Sequence, residues 1–172
     1  MQGTKVMKAV FLAIQSSNPQ SMVESAKAVS ESIGCDVWVN VYEYSALNED
    51  PLLYDDLLRR SKEADFIYIR VMSDPTRFKR FNDYVSIVKN TSALIFLYSG
   101  NIDVTTMNRE LFRADDADFK SFVVYAAHRG PHNDQGMLWM AAKHLGLTDL
   151  QPPDPQDPRD NGIYHPDRKS VV

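Results

Sequence analysis

The residues able to do chemistry are few and scattered. Histidine occurs four times, at His128, His132, His144 and His165, and cysteine once, at Cys35. His128 and His132 have the i, i+4 spacing that on one helix would offer a metal two ligands. Gly130-Pro131 lies between them, however, and breaks the face they would share. His144 falls near the end of a helical pattern, where the helix dipole is a sufficient reason for it. A single cysteine excludes an internal disulfide framework and a multi-cysteine metal centre. Its place just ahead of a strand pattern makes burial its expected role. No Ser/His/Asp or Cys/His set can be assembled from spacing. The seven glycines nowhere form G-x-G-x-x-G or a P-loop, so dinucleotide and ATP signatures are absent.

Two polar residues stand at the ends of apolar runs. Arg70 closes Phe66-Ile-Tyr-Ile-Arg-Val71, and a charge in such a strand is costly unless it is paired. It either holds an anion or a neighbouring domain at the strand ends, or forms a salt bridge to a carboxylate such as Asp74, which is the favoured reading. Ser99, in Ser99-Gly100-Asn101, is a binding turn or only a turn, with the turn preferred. Gln15-Ser-Ser-Asn-Pro-Gln-Ser21 is rich in hydroxyls and leads into a helix N-terminus, as a phosphate-cradling loop would. It contains no glycine, and Ser16 and Asn18 are accounted for as helix caps. The tryptophans Trp38 and Trp139 are expected to pack rather than to serve as stacking platforms.

Prolines mark out the elements that must position these groups. Pro19, Pro51 and Pro75 follow Asn18, Asp50 and Asp74, and Pro131 follows Gly130, which are helix-start signals. Helical apolar spacing follows each one: Met22, Ala26, Val29, Ile33; then Leu53, Leu57; then Phe78, Phe81, Val85, Val88; then Leu138, Ala141, Leu145. Between them lie β-rich runs at Val6–Ile14, Val37–Tyr42, Phe66–Val71 and Ala93–Tyr98. The second alternates like an edge strand, and the other three are continuous like strands covered on both faces. Strand–helix alternation of this kind predicts an α/β, doubly wound, flavodoxin-like fold with a four-stranded parallel sheet in the order 2-1-3-4. Beyond Tyr98 only helices are expected, including Met107–Phe112 and a hairpin closed at Gly130, although Ser121–Tyr125 alone also reads as a strand.

The 172 residues carry 19 Lys+Arg against 23 Asp+Glu, a net charge of −4, with 44% hydrophobic residues. That describes a soluble globular protein with no basic nucleic-acid footprint. The longest apolar run is far short of the ~20 residues of a membrane span, and no signal-peptide pattern is present, so a cytoplasmic protein is expected. Five of nine prolines lie in the last 21 residues, dividing the chain into a domain over 1–150 and a proline-rich linker over 151–172.

Two stretches carry a family resemblance. One is Ala64-Asp-Phe-Ile-Tyr-Ile-Arg-Val71, followed by Tyr125-Ala-Ala-His-Arg-Gly-Pro-His-Asn133 and the helix Met137–Leu145. The other is Gly162-Ile-Tyr-His-Pro-Asp167 after the proline-rich spacer. In this order they resemble the N-terminal region of the cobaltochelatase large subunit, a relative of the magnesium chelatase large subunit. Arg129 and His132 depart from the family, which often has Gly and Glu there, while Gly130, Pro131 and Asn133 fit. The resemblance implies a fragment of a much larger subunit that inserts cobalt, or magnesium in the related enzymes, into a tetrapyrrole. Its implied partners are the remainder of that subunit and AAA+ subunits that hydrolyse ATP. The metal- and tetrapyrrole-handling core would lie downstream, which implies no catalytic residue and no resident cofactor in this stretch. Assembly or substrate gating is the implied role. Arg70, Ser99, His128, Arg129 and His132 are the candidates for substrate contact, with Arg77 a further cation able to meet a ring carboxylate.

Overall fold

The computed structural model describes residues 4–15, 18–72 and 74–157. Four parallel strands form one sheet, β1 (Val6–Ile14), β2 (Asp36–Glu43), β3 (Phe66–Val71) and β4 (Leu94–Ser99), in the order β2-β1-β3-β4. This is the doubly wound arrangement that the alternation of strand and helix patterns predicts. β3 is buried at all six positions, as its unbroken apolar run requires, whereas β2, paired on one side only among the described residues, mixes buried with exposed residues.

Helices cover both faces. On one side α1 (Ser21–Ile33), α6 (Asp116–Ala127) and α7 (Pro131–His144) enclose Met7, Phe11, Met22, Phe66, Phe96, Phe122 and Leu138. On the other, α2 (Tyr44–Glu49), α3 (Pro51–Glu63) and α4 (Phe81–Val88) enclose Val10, Leu12, Leu57, Ile69, Tyr84 and Val88. The order reversal between β1 and β3 brings the ends of those strands, the start of α1 and the start of α7 to one edge of the molecule.

Local chemistry explains most boundaries. Asp50 caps α3 by accepting the Leu52 and Leu53 N–H groups ahead of Pro51 at the first turn. Asp74 caps only a 3-10 turn, Pro75–Arg77, and the Phe78–Val88 stripe becomes a helix from Phe81 onward. At α1 the proline signal is displaced. Asn18 has a left-handed backbone (φ 48°), its carbonyl rather than its side chain receives Ser21 N–H, and Gln20 precedes the helix without a side-chain cap. Ser16 lies outside the described residues.

Past β4 the chain forms α5 (Ile102–Met107) and a 3-10 turn, Arg109–Leu111, rather than one helix over 107–112. Ser121–Tyr125 belongs to α6, settling the helix-or-strand ambiguity there. Gly130, at φ 135°, makes the sharp turn between α6 and α7 that a side chain would oppose. Residues 151–157 have no helix or strand, yet they are hydrogen-bonded back onto α6 and α7. Trp38 corrects the packing expectation, because it is 54% exposed on the open edge strand. Cys35 is buried just before β2, and burial pushes its thiol pKa up.

Candidate functional site

Arg70 is 6% exposed, and its partner is not Asp74. The guanidinium donates to the Ala126 carbonyl in the last turn of α6, bonds the Tyr68 hydroxyl at 3.2 Å, and lies 5.1 Å from the centre of the Tyr98 ring. A cation on one of the last carbonyls of a helix answers both an orphan acceptor and the helix dipole. Asp74 is occupied by the backbone N–H and hydroxyl of Thr76, which holds its carboxyl below the usual range. The Arg70 Nε is buried without a hydrogen-bond partner among the described residues.

Arg129 stands at the topological reversal. It bonds Asp134 at 3.2 Å, the Asn18 carbonyl at 2.9 Å and the Ser21 hydroxyl at 3.0 Å, and it covers the Phe11 ring at 5.4 Å. The Ser21 hydroxyl donates to Asp134 at 2.7 Å. Asp134, 2% exposed, therefore links the first turns of α1 and α7, where a carboxylate is favoured by the positive end of a helix dipole. Beside this network an open cleft of about 240 Å³ is lined by Asn18, Ser21, Arg129, Gly130 and Pro131. Gln15 and Asn18 both have left-handed backbone.

Ser99 is buried at the end of β4, where the chain turns. Its hydroxyl accepts Asn101 N–H, and its own N–H donates to the Thr105 hydroxyl at 2.8 Å. That is the geometry of a loop holding the start of α5. His144 meets Asp118 at 3.2 Å, which supplements the helix-end explanation.

His128 and His132 fall on opposite sides of the Gly130 turn, as the helix break implies, and both face the proline-rich segment. His128 Nδ1 is 3.9 Å from Asp157, and His132 Nε2 donates to the Asp154 carbonyl at 2.9 Å. Asn133, 2% exposed, donates to the carbonyls of His128 and Gln156 while its Oδ1 receives Gln156 N–H at 2.8 Å. Tyr125 donates to the Pro153 carbonyl, and Trp139 Nε1 to the Leu150 carbonyl at 3.0 Å. The stretch Tyr125–Asn133 and the proline spacer, two parts of the sequence pattern, therefore hold each other. The motif Gly162–Asp167, with His165 in it, lies outside the described residues.

The structure thus gathers Arg129 with Ser21 and Asp134, gathers His128 and His132 with the spacer, and leaves Ser99 in its own turn. Arg77 is exposed in the 3-10 turn after β3. Asp134, Asn133 and Tyr125 were not legible as polar anchors, because each acts on a group 23 or more residues away. The one local signal was a carboxylate at the third position after Pro131. Among the described residues no group of three His, Cys, Asp or Glu side chains could hold a metal ion. No helix there is long and apolar enough to cross a membrane.

No family profile matches this chain, and no curated protein does. Among solved structures, it is similar to the catalytic subunit of cobaltochelatase from Mycobacterium tuberculosis, with a TM-score of 0.54 and 15% identity. The match covers 87% of this chain and 11% of that one, and at this identity it establishes a shared fold.

Proposed function

We propose that this chain is an assembly and substrate-gating domain of a cobaltochelatase-type large subunit, an enzyme that inserts cobalt into a corrin-ring precursor in cobalamin biosynthesis. The carrying observation is that the fold is shared with a cobaltochelatase catalytic subunit over 87% of the chain. The ordered motifs Ala64–Val71, Tyr125–Asn133 and Gly162–Asp167 support the same reading independently. Cobalt is the substrate here, and the reading assigns its coordination to the remainder of the subunit and ATP hydrolysis to AAA+ partners. A magnesium chelatase type of subunit, acting on a porphyrin, is the variant of this reading with the other metal.

Assembly is favoured over direct chemistry by how the cations are used. Arg70 closes α6 and Arg129 joins two helix starts, so both serve the frame first. The outer edge of β2, unpaired among the described residues and with Trp38 exposed on it, offers surface for a neighbouring domain. A flavodoxin-like carrier of flavin or phosphate is the reading from another class. The Ser-rich loop after β1 favours it, but the Ser21 hydroxyl and the Arg129 guanidinium are both committed to Asp134.

Titration of the chain with hydrogenobyrinic acid diamide, followed by tryptophan fluorescence, separates these readings. Assembly predicts no saturable quenching in the isolated chain. Saturable quenching that disappears in Arg129→Ala would shift the role to direct contact with the tetrapyrrole. A purified chain carrying the visible absorbance of a flavin would overturn the assembly reading in favour of the carrier.

A further inference from the structure

We infer that the α6–α7 face is a binding groove for an extended, proline-containing peptide, read through its main-chain carbonyls, and that Leu150–Gln156 is the ligand it holds in cis. Four side chains of the helical hairpin donate to this segment: Trp139 to the Leu150 carbonyl, Tyr125 to Pro153, His132 to Asp154 and Asn133 to Gln156. Three of the carbonyls, at 150, 153 and 156, are spaced by three residues. That is the repeat of a polyproline II helix, which has three residues per turn and leaves its backbone groups without internal partners. Aromatic and amide donors facing such carbonyls are the usual means by which proline-rich peptides are recognised.

The donors suit the task. Indole N–H can only donate, and a carbonyl can only accept, so the His132 contact also fixes the proton on Nε2. Asn133 adds direction and register by gripping both the N–H and the carbonyl of Gln156, a residue free to donate because it follows Pro155 rather than being proline itself. Pro152, Pro153 and Pro155 restrict the backbone in advance, which lowers the entropy lost on docking. Recognition bypasses the ligand's side chains in at least one place, since Leu150 remains 52% exposed.

The docked segment is also separable from the fold. Both hydrophobic clusters, including their partly buried neighbours, draw on side chains no later than Leu147. Pro152, Pro153 and Pro155 are only partly buried against the hairpin, so the same segment supplied in trans is expected to enter the groove. This inference stands whether or not the chelatase reading does.

The test begins in the full chain, by amide hydrogen exchange at Gln156. Protection at least tenfold above the unstructured rate is expected, with that protection lost in Asn133→Ala. An unprotected Gln156 amide, or protection unchanged in Asn133→Ala, would overturn the groove. A chain ending at Thr148, its fold checked by circular dichroism, is then titrated calorimetrically with a synthetic peptide of residues 149–157. One-to-one binding is expected, at least tenfold weaker in Asn133→Ala and lost with a peptide of scrambled order. A folded domain that fails to bind, or that takes the scrambled peptide equally well, would contradict the proposal.

Discussion

The buried ion pair between Arg129 and Asp134 carries the largest single-residue consequence. Removing one partner strands the other charge at low exposure, a change that costs about 3–5 kcal/mol. Arg129→Ala is therefore expected to lower unfolding stability by that order in denaturant titration. The paired replacement Arg129→Met with Asp134→Leu should recover most of the loss, because no charge is then left buried. Tyr125 gives a pH signature. Burial, aided by the Asp154 carboxylate, pushes its phenol pKa up to about 12. The neutral form is thus favoured in the folded state. Its contribution is complete below the ordinary tyrosine value of about 10 and is lost as the pH rises towards about 12. A tyrosinate able only to accept cannot keep the bond to the Pro153 carbonyl. Alkaline titration should therefore release residues 150–157 before the sheet unfolds, seen as loss of Gln156 amide protection ahead of the circular dichroism change. Simultaneous loss of both signals would contradict this order.

Among the elements, α6 and α7 are the pair whose spacing is least forgiving. A Cβ on Gly136 would overlap the Tyr125 ring, so glycine there sets how closely the two helices approach. Gly136→Ala should cost about 1–3 kcal/mol by overpacking, despite the higher helix propensity of alanine. A gain in thermal stability would show that the helices can part freely. This closeness had no sequence signal, since a glycine within a helical pattern reads only as a weak position. The strands were legible for the opposite reason. Continuous apolar runs such as Phe66–Val71 and Leu94–Ser99 encode burial on both faces locally, and parallel order then follows from the helices between them. The Asp50-Pro51 start was equally local, and the structure keeps it. Asn18-Pro19 was misread because the Asn18 carbonyl serves Arg129 from 111 residues away, and the backbone bends to present it. The short α2 escaped notice because it follows β2 directly, with Glu43 ahead of it offering no side-chain cap. The Arg70 partner was missed because a helix-end carbonyl, unlike Asp74, leaves no mark in the sequence.

At the scale of the whole molecule, the sheet is a frame with two differently finished ends. The edge where β1 and β3 diverge is closed by charge, with Arg129, Asp134 and Ser21 tying α1 to α7. The adjoining α6–α7 face holds the proline-rich segment up to Asp157, beside His128 and Asn133. The β2 edge is open among the described residues, and Trp38 is exposed on it. These features are what the proposed assembly role would use. The most direct measurement is rescue in trans. A cobaltochelatase large subunit lacking its corresponding domain would be combined with this chain, the AAA+ subunits, ATP, cobalt and hydrogenobyrinic acid diamide, and cobalt insertion followed by absorbance. Insertion that depends on this chain and saturates with its concentration is the expected result. Unchanged activity, with no association between the chain and the truncated subunit, would contradict it.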